Sequence, residues 1–242
     1  MRMLFVMLLA MPALAEEPTA KSELTRGDAL LKKRDNAGAV KAFTAAIALE
    51  PKLMAAYDRR GDANLKLGLF KESIADFDTF LETNPKFAPE HWRRGIALYY
   101  ADRYKDGVKQ FETHKTVNPQ DVENAVWHYL CNVKVIGKDK AMKELIDVTQ
   151  DARVPMAEIQ KLYAGKLKPE DVLAAAEKVN AKSEAGIEAR FYANLYVALW
   201  YEAEGEAKKL REHLTLAVEK FEISHYMWDV GNAHLNGLKA KK

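Results

Sequence analysis

Residues 23–32 read ELTRGDALLK, residues 57–66 read YDRRGDANLK and residues 91–100 read HWRRGIALYY. Each stretch starts thirty-four positions after the one before, and each places a glycine fifth: Gly27, Gly61, Gly95. Working outward, Phe43, Phe77 and Phe111 keep the same interval, and so do Pro51, Pro85 and Pro119. The small residues Ala39, Ser73 and Gly107 stand four before each phenylalanine. A strict period shared by several residue types defines an array of like units before any local structure is read.

The spacings have a physical meaning. A glycine in the first helix of a unit lets a neighbouring helix approach closely, and a small residue four before a phenylalanine shares its helical face. The proline cannot continue the second helix and so marks the end of the unit. LKLGLFKES (65–73) and YYADRYKDG (99–107) supply the turns within units, and no stretch alternates with period two as a strand would. The expected fold class is all-α, built from antiparallel helix pairs.

This pattern resembles the tetratricopeptide repeat family, whose motif runs W-x2-L-G-x2-Y, then A-x3-F, then P. The match covers 20–53, 54–87 and 88–121. It departs where Arg26, Arg60 and Arg94 replace the leucine before the glycine, and where Glu23, Tyr57 and His91 take the first aromatic position. The resemblance implies a right-handed superhelix with a concave inner face, and a role in holding a protein or peptide.

Beyond Pro119 the register loosens. Val122, Val126, Tyr129 and Val133 form one stripe of an amphipathic helix, and KDKAMKELIDV (138–148) is expected to follow as a second. PMAEIQKLYAG (155–165) and PEDVLAAAEKV (169–179) each open on a proline, which suits a first helical turn. The segment 122–190 is therefore read as helical but outside the repeat. A divergent repeat-like pair follows over 191–220, turning at Gly205 and packing through Leu210, Leu214 and Ala217. ISHYMWDVGNAHL (223–235), with Gly231 four periods after Gly95, is expected to cap the end of the stack. With WHYL (127–130), LYAGKLKPEDVLAAA (162–176) and FYANLYVALWYEAEG (191–205), this layout is also similar to the new-lipoprotein-I group of bacterial envelope proteins. That likeness implies an adaptor between a periplasmic tail-specific protease and cell-wall hydrolases.

Composition is that of a soluble globular chain, with 48% hydrophobic and 30% charged residues. Lys+Arg 37 against Asp+Glu 35 is too even to point to a nucleic-acid partner, and 237–242 reads as a basic, solvated tail. Residues 1–15, MRMLFVMLLAMPALA, have the layout of a secretory signal: an early charge, a short apolar run and small residues near Ala15. The apolar run would span about 12 Å as a helix against a bilayer core of about 30 Å, so stable membrane insertion is not expected. The expectation is export to the periplasm or medium. Cys131 is the sole cysteine, so neither an internal disulfide nor lipid attachment near the cleavage site is expected.

The motifs of metalloproteases, redox CxxC pairs, serine hydrolases and phosphate-binding loops are missing. His128 and Cys131 stand three apart on one helix, but two ligands do not complete a metal site. No catalytic residue, cofactor or metal is expected. What remains is a surface. By resemblance, the inner face carries Lys21, Leu24, Asp28, Leu31 and Lys32 in the first unit, and Ala55, Asp58, Asp62, Leu65 and Lys66 in the second. In the third it carries Pro89, Trp92, Ile96, Tyr99 and Tyr100. The lysine–asparagine pair with which chaperone-tail-binding repeats grip a terminal carboxylate is absent. The face grades from acidic to aromatic, which suits a partner segment with basic and apolar residues. Asp58, Asp62, Trp92, Ile96, Tyr99, Tyr100 and Val126 are the expected partner-binding set. A second placement stays open, in which Trp92, Tyr99 and Tyr100 pack against the 122–182 helices. The functional expectation is an exported scaffold or adaptor. A self-assembling homo-oligomer and an enzyme with an unrecognised site are the alternatives.

Overall fold

The computed structural model describes residues 17–240, so the signal-like segment 1–15 lies outside the described residues. Those described fold as helices, with no strand among them. Six helices fall two to a period: α1 (Ala20–Lys32) and α2 (Asn36–Leu49), α3 (Met54–Lys66) and α4 (Phe70–Thr83), α5 (Trp92–Tyr100) and α6 (Tyr104–Lys115). Each packs on the next, while α1, α3, α5 and α7 (Val122–Ile136) also touch in succession and form the inner row.

The thirty-four-residue glycine and phenylalanine are one joint. A Cβ would stand 2.7 Å from the Phe77 ring at Gly61, 2.3 Å from the Phe43 ring at Gly27 and 2.6 Å from the Phe111 ring at Gly95. No real Cβ sits so close, so the bare glycine is what lets the ring pack against the first helix. All three rings are buried, each contributing about 1.5–3 kcal/mol by leaving water. The turns between paired helices repeat as well: Arg34, Gly68 and Asp102 all take positive φ, at +57°, +76° and +60°.

Past the third unit the chain runs α8 (Lys138–Lys143), α9 (Met156–Tyr163), α10 (Pro169–Glu177), α11 (Glu184–Ala203), α12 (Ala207–Thr215) and α13 (Tyr226–Ala240). The helix expected over 138–148 stops after Lys143, and 145–152 have no regular structure. The β-branched Ile146, Val148 and Thr149 and the approach to Pro155 disfavour the α conformation there. The freed backbone is held instead by side chains, since the N–H groups of Thr149 and Gln150 donate to Gln120 Oε1 at 3.1 and 3.0 Å. The sequence also places His225 in the last helix, whereas it precedes α13 in an irregular strap, 221–225.

The last helix does more than close the end of the stack. It packs on α12 and on the π-helical turn at 216–220, and it also reaches α3 in the second repeat. Met227, Val230 and Leu235 are buried, and Gly231 lies against Val218 and Leu195. Its opposite side faces the inner row.

Candidate functional site

The inner row carries its charges in compensated form. Asp58 Oδ1 accepts from His91 Nε2 and from Arg93 Nη2, each at 3.0 Å. Burial alone would raise the Asp58 carboxyl, but the His91 hydrogen bond and the Arg93 charge bring it below the ordinary carboxylate range. Asp62 is 6% exposed, 3.1 Å from Lys66 Nζ and 3.4 Å from Arg93 Nη1. The acidic half of the expected groove is therefore neutralised from within, and the preference for basic partner residues that the sequence suggests does not follow.

The aromatic half is covered. Ile96, Tyr99 and Val126 are buried in the main core. Tyr99 and Tyr100 meet the Trp127 ring of α7 at 5.5 and 5.8 Å, which is the second of the two placements open to the sequence. Tyr100 also stacks on Phe70 at 4.6 Å and shares a 3.2 Å hydrogen bond with His234 Nδ1 of α13. Trp92 meets the edge of Tyr226 at 4.9 Å, a partner from α13 that neither placement includes. The open aromatic wall expected from the repeat register is thus occupied by the chain's own C-terminal helix. The physical reason is plain: aromatic faces on both sides leave water together.

One recess on this face stays open. It holds about 200 Å³ between α5, α6 and α7, with Trp92, Ile96, Phe111, Trp127 and Met227 as apolar walls. His114, Asn118, Asp121, Glu123, Asn124 and His225 complete the lining. Trp92 and Ile96 come from the expected set; Asp58, Asp62, Tyr99, Tyr100 and Val126 do not line it. The two carboxylates are held by Arg153, which donates to Glu123 Oε1 at 2.5 Å and to Asp121 Oδ1 at 2.9 Å. Burial, and then Asp121, raise the Glu123 carboxyl above its usual value although Arg153 pulls it down. Tyr192 Oη and His225 Nδ1 share a 2.8 Å hydrogen bond and the Met227 N–H lies 3.3 Å from the same nitrogen, which fixes the strap over the recess. Burial first, then Arg153, lowers the His225 pKa.

The residues weighed for chemistry are otherwise engaged. Asn132 lies 3.2 Å from the His128 Nε2, and Glu112 is 3.9 Å from that nitrogen. Cys131 is buried against Gly107, and burial pushes its thiol pKa up, away from the reactive thiolate. Among the described residues no group of three His, Cys, Asp or Glu side chains is placed to hold a metal ion. No described helix is long and apolar enough to cross a membrane.

No protein-family model matches this chain, and no curated protein matches it. Solved structures do. A tetratricopeptide repeat protein from Parabacteroides merdae aligns over 89% of this chain and 84% of its own, at 16% identity and a TM-score of 0.54. A TPR protein from Thermus thermophilus aligns over 89% of this chain and 99% of its own, at 15% identity and a TM-score of 0.46. The C-terminal part of a TPR repeat-containing protein from Cytophaga hutchinsonii aligns over 89% of this chain and 74% of its own, at 18% identity and a TM-score of 0.40. The first of these likenesses shows the fold: helix pairs stacked as tetratricopeptide repeats.

Proposed function

We propose that this tetratricopeptide-repeat chain is a protein-binding scaffold, and that its contact with a partner is made at the recess bounded by Trp92 and Trp127. The observation that carries this reading is the recess itself. It is a part of the repeat's inner face that α13 leaves open, and it joins apolar walls to a carboxylate rim. A cavity of about 200 Å³ suits one bulky side chain of a protein partner rather than a large cofactor. Aromatic walls of few rotatable bonds make such a cavity an anchor point for association. The signal-like segment 1–15 supports export, and the similarity of layout to envelope adaptors supports a partner among envelope hydrolases or proteases. The chain acts by bringing such proteins together, without catalysis of its own.

The test compares capture from a native envelope extract by residues 16–242 and by the same chain carrying Trp92→Ala. The variant's fold is checked by circular dichroism. We expect one defined set of proteins on the parent bait and at least a tenfold loss on the variant. Equal recovery by a folded variant would place the contact elsewhere.

A further inference from the structure

Repeats one and two reach across to the C-terminal unit through a contact unlike the rest of the core. Arg34, in the α1–α2 turn, pairs with Glu222, donates to the Ile223 carbonyl at 2.7 Å and lies 4.1 Å from the Trp228 ring centre. Its Nε is 3.9 Å from Asp229 Oδ1. Lys66 of α3 is 3.8 Å from Asp229 Oδ2 and 4.8 Å from the Tyr226 ring centre. So the element seated on the first two repeats is an acidic and aromatic segment, 222–229, and what receives it is cationic. This reverses the charge preference that Asp58 and Asp62 suggest in the sequence, because His91, Arg93 and Lys66 are already paired with those acids.

The turn itself has no need of the Arg34 guanidinium: its φ of +57° recurs at +76° for Gly68 and +60° for Asp102, residues of quite different chemistry. The segment it grips is irregular over 221–225, with Glu222, Ser224 and His225 exposed, and it is seated on the main core chiefly through Ile223, with Phe221 packed beside it.

We infer that the inner face of repeats one and two is a receptor for an acidic–aromatic protein segment, held in cis by residues 222–229 and open in trans to a partner segment of the same chemistry. The inference rests on the scaffold reading above and deepens it by giving the partner's class: carboxylates for Arg34 and Lys66, with aromatic rings between them. A partner enters by displacing the strap, and the first two repeats swing free of the C-terminal unit as it does so. The outer pair, Arg34 with Glu222, is partly exposed and suits a reversible contact, since such pairs are weak singly and sensitive to salt, whereas Lys66 meets Asp229 in a mostly covered setting.

The test uses the full chain and a labelled synthetic peptide of residues 221–236, followed by fluorescence anisotropy. The variant Glu222→Gln keeps the shape of the cis segment but removes the charge that Arg34 grips. It is expected to bind the peptide severalfold more tightly than the parent, with affinity falling as salt rises. Adding Arg34→Gly, which relieves the turn while removing the guanidinium, should cancel that gain. Equal binding by parent and Glu222→Gln, or equal binding of a peptide with its Glu222 neutralised, would overturn the inference. A second measurement guards against misfolding: amide exchange of 221–229 in Arg34→Gly alone should speed up severalfold while α11 is unchanged. Protection of that segment equal to α11 would show it to be core, and would also overturn the inference. The peptide assay needs no outside partner, so it stands or falls separately from the Trp92 capture experiment.

Discussion

Gly61 shows how a single absent atom sets the spacing of the whole array. Alanine there gains about 1 kcal/mol of helix propensity, yet its Cβ would lie 2.7 Å from a fully buried phenylalanine ring and 3.2 Å from the Ser73 carbonyl. Overpacking of a close-packed core costs about 1–3 kcal/mol and outweighs that gain. We expect Gly61→Ala to lower stability by up to about 2 kcal/mol net, which for a chain of this size is up to roughly 8 °C in melting temperature. Phe77→Leu opens room for the methyl, so the double variant should be less destabilised than the two single effects summed. A calorimetric double-mutant cycle that proves additive would refute the joint. This joint was legible in the sequence because two residue types recur in one period. The left-handed turn residue recurs just as strictly, at 34, 68 and 102, but only the middle one is glycine. Arginine and aspartate do not announce positive φ, so that periodicity emerges only from the backbone.

The elements divide along the same line. Helices α1 to α7 follow from residues near one another in the chain, whereas 145–155 take their form from distant side chains. Arg153 is the main tie: it reaches Asp151, Glu123 and Asp121, joining the irregular segment to the start of α7. Hydrogen bonding to Asp151 and the charge of Glu123 raise the Arg153 pKa against the effect of burial. Periodicity reads KDKAMKELIDV as a continuous helix, because a chain scan has no view of a guanidinium arriving from another turn. Arg153→Ala would leave the poorly solvated Glu123 carboxylate with the Tyr196 hydroxyl as its remaining side-chain donor. With the arginine itself partly exposed, we expect a loss of roughly 1–3 kcal/mol in urea unfolding. Amide exchange at Thr149 and Gln150 should speed up at the same time. If neither changes, Arg153 is a surface ornament and the segment is held by Gln120, by Gln160 and by its buried Ile146 and Val148.

At the scale of the whole molecule, the aromatic patch in HWRRGIALYY was legible as unusual, but its cover was not. Tyr226 and His234 lie more than a hundred residues further along, and no local pattern links them to Trp92 or Tyr100. Closure of the array through α13 turns a groove for partners into one that also holds part of its own chain, so the balance between closed and open forms becomes a property of the strap. His225 ties that balance to pH. The Met227 N–H donates to its Nδ1, which requires that nitrogen to be unprotonated. Burial and Arg153 lower its pKa, while Glu188 opposes them. A histidine whose folded pKa is lowered contributes stability that is complete above its unfolded value of about 6.5 and is lost as pH falls below it. Asp229 acts with the opposite sign, since burial raises its carboxyl in spite of Lys66 and Arg34, so stability from that group is lost as pH rises. Comparing the parent with His225→Gln separates the two. We expect exchange protection of the strap, corrected for intrinsic rate, to drop severalfold in the parent between pH 7.5 and 5.5 and to stay nearly flat in the variant. Parallel pH profiles would mean that the imidazole is a spectator and that the strap is held by Arg34 and Lys66 without its help.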